Sequence, residues 1–140
     1  MTLLEVADIR AFYGRVQVLE GVSLTVPDGG AVGILGANGA GKTTTLRAVS
    51  GTVRSTGTIR FDGKDLRGLR PDQVAALGIA HVPEGRGTLS DLTVRENLRV
   101  GAYRRKDAKA IRSDIDYCLD LFPQLQDRVR SNGSALSGGE

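Results

Sequence analysis

The sequence predicts an α/β fold organised around a phosphate-binding loop, and three observations carry that expectation. A short apolar run, Ala31 to Leu35, is bounded by glycine in the manner of a buried strand. It leads directly into Gly36-Ala37-Asn38-Gly39-Ala40-Gly41-Lys42-Thr43, which fits the pattern G-x-x-x-x-G-K-[ST], and Lys42 to Val49 then reads as a helix. From about Thr93 onward the pattern becomes all-helical. Residues 1–92 are therefore expected to hold the strands and the loop, and residues 93–140 a helical subdomain.

The elements follow in order along the chain. Leu3 to Ile9 and Val22 to Val26 alternate in part and read as strands, with Phe12-Tyr13-Gly14 as a turn carrying aromatics between them. Pro27-Asp28-Gly29-Gly30 is a turn by composition. The helix that starts at Lys42 is closed by Ser50-Gly51. Thr58 to Phe61 and the Asp62-Gly63 turn predict a short antiparallel excursion. Pro71 to Leu77 is a helix with Pro in its first turn, and Ile79 to Val82 a buried strand ending at Pro83. Thr93-Val94-Arg95-Glu96 is a capping box opening a helix toward Gly101. Ala108 to Phe122 is the clearest amphipathic helix, stopped by Pro123.

Composition removes several function classes. The 19 basic and 16 acidic residues of this 140-residue chain nearly cancel, so a net charge of +3 gives little support to a polyanion partner. The one dense basic run, Arg104-Arg105-Lys106 with Lys109 and Arg112, reads as a solvated helix face. Three Tyr, three Phe and no Trp leave little for stacking on single strands, and no nucleic-acid partner is expected. The single cysteine, Cys118, lies in an apolar stripe with Ile111, Ile115, Leu119 and Phe122 and reads as a buried structural thiol. One histidine, His81, cannot assemble a metal site and reads as a strand residue. Glu5, Asp8 and Arg10 interrupt the N-terminus, so no secretory segment is visible, and no apolar run approaches the ~20 residues of a bilayer span. A cytoplasmic chain, at a membrane only through a partner, is expected.

Strand, glycine loop and helix in succession give the loop its chemistry. Gly36, Gly39 and Gly41 allow backbone angles and close approach that side chains would block. Lys42 would reach the β- and γ-phosphates of a nucleotide, and the Thr43 hydroxyl would ligate Mg²⁺. The alternative, a glycine turn without a ligand, leaves the adjacent Lys and Thr unexplained.

Gly36 to Thr44, the run Val82-Pro83-Glu84-Gly85-Arg86 and the closing Leu136-Ser137-Gly138-Gly139-Glu140 together resemble the ATP-binding subunits of ABC transporters. Within that superfamily the chain is most similar to the LivF-type ATPases of branched-chain amino acid importers, chiefly because Glu84 stands where most members carry glutamine. The resemblance implies a P-loop NTPase core with an antiparallel β subdomain and the start of a helical subdomain. It also implies that the chain is cut just after the signature pentapeptide, so that the core sheet is incomplete.

Further implications of the resemblance concern single residues. Tyr13 would stack on adenine, with Val18 beside it, a core tyrosine being the alternative. The nucleotide contacts would include Gly36, Asn38, Gly39, Ala40, Gly41, Lys42, Thr43 and Thr44, and Glu84 would join Thr43 near Mg²⁺. Leu136, Ser137, Gly138, Gly139 and Glu140 would act on ATP held by a second ATPase subunit. The family's Walker B aspartate, catalytic glutamate and switch histidine lie beyond the signature, so no catalytic residue is assigned and these 140 residues alone are expected to be inactive. The helical stretch would contact membrane-spanning permease subunits, themselves served by a substrate-binding protein. The leading expectation is thus transport-coupled ATP hydrolysis on the inner face of the cell membrane. The alternatives are a soluble ABC ATPase uncoupled from transport, a P-loop kinase, or an inactive fragment.

Overall fold

Partial alternation at the N-terminus grows into a hairpin longer than the pattern shows. In the computed structural model, which describes residues 1–85 and 87–139, β1 is Thr2–Tyr13 and β2 is Val16–Pro27. They pair antiparallel with Tyr13 opposite Val16, so Gly14 and Arg15 make a two-residue turn in which Gly14 has φ 60°. Phe12 and Tyr13, expected in the turn, instead complete β1. Arg86 of the Pro-Glu-Gly-Arg run and Glu140 of the closing pentapeptide lie outside the described residues.

Contacts divide the chain into two units, Met1–His81 and Val82–Glu140. In the first, β3 (Arg54–Phe61) pairs with β1 and with β4 (Lys64–Asp65), giving an antiparallel sheet in the order β2-β1-β3-β4. The β3–β4 turn sets Asp62 at φ 48° and Gly63 at φ 73°, the two left-handed residues that a tight hairpin needs. Helix α1 (Lys42–Val49) packs on the sheet, and α2 (Pro71–Ala76) follows with Pro at its start. Val6, Ile9, Ala11, Leu19, Ala48, Val49, Ile59, Leu66 and Val74 form the core. At about 25 cal/mol per Å² of buried apolar surface, this cluster is what holds α1 against the sheet.

Two expected strands do not form. Ala31 to Leu35 and Ile79 to Val82 belong to no ladder among the described residues, and Leu35 and Val82 are 95% and 85% exposed. An apolar run becomes a buried strand only where a neighbouring strand accepts its hydrogen bonds. Among the described residues the sheet ends at β2 and β4, and neither segment pairs with either edge.

In the second unit α3 is Val94–Gly101 and α4 is Ala108–Leu121, followed by single 3₁₀ turns at Pro123–Leu125 and Gly133–Ala135. Of the α4 stripe, Ile115 and Leu119 are buried, Ile111 and Cys118 half-buried, and Phe122, at the helix end, exposed. The basic run is exposed, but only Lys109 and Arg112 lie on a helix: Arg104, Arg105 and Lys106 fall in the connection between α3 and α4, where Arg105 pairs with Asp107 at 2.6 Å and with Asp114. No helix among the described residues is long and apolar enough to cross a membrane.

Candidate nucleotide-binding site

The glycine loop curls over the start of α1. Gly39 and Gly41 have φ 83° and 92°, conformations that side chains disfavour, whereas Gly36 is nearly extended and is constrained by space instead. A Cβ on Gly36 would come 3.2 Å from the Ala40 Cβ. Ala40 N–H donates to the Ala37 carbonyl at 3.2 Å, closing the turn that carries Asn38 and Gly39. The Lys42 ammonium reaches back across the loop and donates to the carbonyls of Gly36 and Ala37 at 2.8 and 2.7 Å. A positive group therefore already stands at the mouth of the loop. It is held by groups that it can release for a phosphate, since a charged acceptor makes the stronger hydrogen bond.

The N-termini of α1 and α3 are finished differently. At α3 all four leading N–H groups have partners. Val94 and Arg95 donate to the Ser131 and Val129 carbonyls at 3.0 and 3.2 Å, Glu96 to Thr93 Oγ1 at 3.3 Å, and Asn97 to the Thr93 carbonyl at 2.9 Å. The expected capping box is complete, with Glu96 accepting from Thr93 N–H at 2.8 Å, and hydrogen bonds from Thr93 hold the Glu96 carboxyl below its usual pKa. Helix α1 has no side-chain cap: its N-cap is Gly41, and the ladder begins with Thr45 N–H on the Gly41 carbonyl at 2.8 Å. The N–H groups of Lys42, Thr43 and Thr44 precede that ladder and sit at the positive end of the helix dipole. Backbone N–H, an ammonium and the Thr43 hydroxyl make a donor set suited to the polyphosphate of ATP and its Mg²⁺.

The other end of α1 is closed as expected at Ser50-Gly51. Gly51 has φ 72° and donates to the Ala48 carbonyl, and Thr52 N–H donates to Arg47, the paired bonds of a Schellman cap. His81 lies here rather than in a strand: its Nδ1 is 2.8 Å from the Oγ of the buried Ser50. Nothing in the periodicity signals that contact.

Tyr13 is not a core residue. Its ring is 42% exposed, and its hydroxyl accepts a hydrogen bond from Arg47 Nη1 at 3.0 Å. Hydrogen bonds from Thr44 and then Arg47 draw its pKa below that of an ordinary phenol. Val18 is also exposed. Glu84 and the pentapeptide lie in the second unit. Glu84 is exposed, Leu136 is half-buried, and Gly138 and Gly139 form an exposed turn. Among the described residues no three of His, Cys, Asp and Glu cluster as a metal site.

Asn97 was invisible to the sequence reading. Its Oδ1 accepts from Leu89 N–H at 2.8 Å, and its Nδ2 approaches the carbonyls of Leu89, Leu92 and Thr93 at 3.0 to 3.1 Å. One amide thus fixes the loop ahead of α3. The same loop is stitched to the approach of the pentapeptide, with Gly133 N–H on the Leu92 carbonyl at 2.8 Å and Ser134 N–H on Ser90 at 3.1 Å. Polarity one residue past a capping box was the available hint.

A glycine turn that opens an uncapped helix at Lys-Thr defines a P-loop nucleotide-binding protein. Residues 19–140 match the ABC transporter family, and the chain belongs to it. It is 40% identical over 133 residues to a high-affinity branched-chain amino acid transport ATP-binding protein of Pseudomonas aeruginosa, covering 94% of this chain and 57% of that protein. It is 39% identical over 144 residues to a lipopolysaccharide export system ATP-binding protein of Haemophilus influenzae, covering 100% and 59%. A solved structure of the ATP binding subunit of an ABC transporter superposes with TM-score 0.82 at 33% identity, over 98% of this chain and 57% of that one. The chain therefore spans less than two thirds of the relatives it matches.

Proposed function

We propose that the chain supplies the nucleotide-binding part of a transport-coupled ATPase. Gly36, Asn38, Gly39, Ala40, Gly41, Lys42, Thr43 and Thr44 hold the phosphates, Tyr13 packs on the base, and Thr43 serves Mg²⁺. Leu136, Ser137, Gly138 and Gly139, with Glu140, act on the nucleotide of a second subunit. The observation that carries the reading is the uncapped start of α1, where the Lys42 ammonium is tethered to two loop carbonyls. Mg²⁺, when bound, would supply neutralisation of the phosphate charge. The chain's own part is to bind and orient the triphosphate.

For the transported substrate we favour branched-chain amino acids, imported through a permease that a binding protein feeds. The support is the likeness to the Pseudomonas aeruginosa protein and to a probable branched-chain amino acid transport ATP-binding protein of Archaeoglobus fulgidus, 33% identical over 140 residues. An export role is the second reading, because the lipopolysaccharide export relative is as similar by identity. Growth of a deletion strain on a branched-chain amino acid as sole nitrogen source separates the two: unimpaired growth and uptake would sink the import reading.

Binding is tested on Lys42. Charge-assisted hydrogen bonds contribute about 1.5–3 kcal/mol each, so Lys42→Ala should weaken ATP binding roughly tenfold or more. A fluorescent-ATP titration of parent and variant reads this directly. Equal affinities would remove the loop from the site.

A further inference from the structure

We propose that Arg47 is a positioning residue for nucleotide binding: it holds the Tyr13 hydroxyl, so that the ring and the phosphate loop move as one body. The proposal rests on the reading that Tyr13 packs on the base. Arg47 Nη1 donates to the phenol oxygen at 3.0 Å from the second turn of α1, one turn after the buried Thr44. Thr44 follows Thr43 directly, inside the first turn of the helix that also carries Lys42. Tyr13 is the last residue of β1 and is exposed.

The consequence is a fixed span. A phosphate held at the start of α1 and an aromatic plane held from the second turn of that helix cannot drift apart. A ligand that has both a polyphosphate and a planar base meets them preset, and ordering of the tyrosine is not charged against its affinity. Polyphosphate without a base gains nothing from the clamp. That difference separates positioning from a general effect of Arg47 on charge or folding.

The experiment compares ATP with inorganic tripolyphosphate by calorimetry on the full chain. Arg47→Met keeps the length and apolar stem and removes the donor. It should weaken ATP about threefold to tenfold, the range expected for freeing one side chain, and leave tripolyphosphate within about twofold. Tyr13→Phe should do the same, the double variant no more than either single one, and Arg47→Lys should recover part of the loss because an ammonium can still donate. Equal weakening of both ligands, unchanged ATP affinity, or additive losses in the double variant would each overturn the clamp. Tyr13→Ala separates the two layers. If it leaves the ratio of the two affinities unchanged, the base-packing reading itself is wrong. If it lowers the ratio while Arg47→Met does not, base packing stands and the clamp fails.

Discussion

Asn97 shows how much one side chain can organise. An amide has two donor hydrogens and one acceptor oxygen, and here the oxygen meets the Leu89 N–H while the nitrogen faces three carbonyls. The loop it ties carries no strand or helix of its own, so few other contacts replace it. Asn97→Ala should destabilise the second unit by about 1–3 kcal/mol, the penalty for leaving such groups unsatisfied. Asn97→Asp should be no milder, because a carboxylate would confront the same carbonyls. Urea titration followed by amide exchange at Leu89 and Asn97 reads both. A loss below about 0.5 kcal/mol in the alanine variant would mean that water takes over these bonds. Such a residue is hard to see in a sequence. The Thr93–Glu96 box was legible because its pattern is local, whereas Asn97 acts on residues up to eight positions away.

At the scale of elements, local signals were the reliable ones. Helix α1 was legible from Lys42 to Val49 because a glycine loop, a periodic stretch and a glycine stop bracket it. The Asp62-Gly63 turn declared itself by composition. Strand lengths were not legible, because β1 is irregular in the middle. Its pairing with β3 shifts register between Ala7 and Arg10, where Asp8 takes φ 47°. Opposite that bulge stands Gly57, at φ 94°, and a Cβ there would come well inside van der Waals contact with the Asp8 carbonyl oxygen. Glycine within a strand marks such a close backbone approach. Gly57→Ala is therefore expected to cost about 2–4 kcal/mol, combining strain at a left-handed residue with a backbone clash. Thermal unfolding of the variant beside Gly63→Ala, whose Cβ would meet nothing within 4 Å, isolates the clash. Equal losses in the two would assign the whole effect to backbone conformation.

Across the whole molecule, the buried core and the candidate site share the β1–β2 hairpin. Ile9 is fully buried where β1 meets β2 and β3, and Gly41 sits over the buried Leu19 of β2, so the loop is seated on the hairpin. The segments read as buried strands, 31–35 and 79–82, contribute no ladder bonds, and Ile79, partly buried, packs against that core without being one of its buried residues. Reading an apolar run as interior assumes a neighbouring strand, which a single segment cannot specify. Two consequences follow from this division. Ile9→Ala should cost about 2–5 kcal/mol, as truncation in a packed core does, while Leu35→Ala should stay within about 0.5 kcal/mol. Amides at 31–35 and 79–82 should exchange within about tenfold of unstructured rates, against orders of magnitude slower exchange in β1 and β3. Phosphate binding at α1 should slow exchange near Gly39 to Thr44 without transferring protection to Ala31 to Leu35. Strong protection of 31–35 in the chain alone, with a large loss in Leu35→Ala, would show that this run is buried in solution and that the core extends beyond the four-stranded sheet.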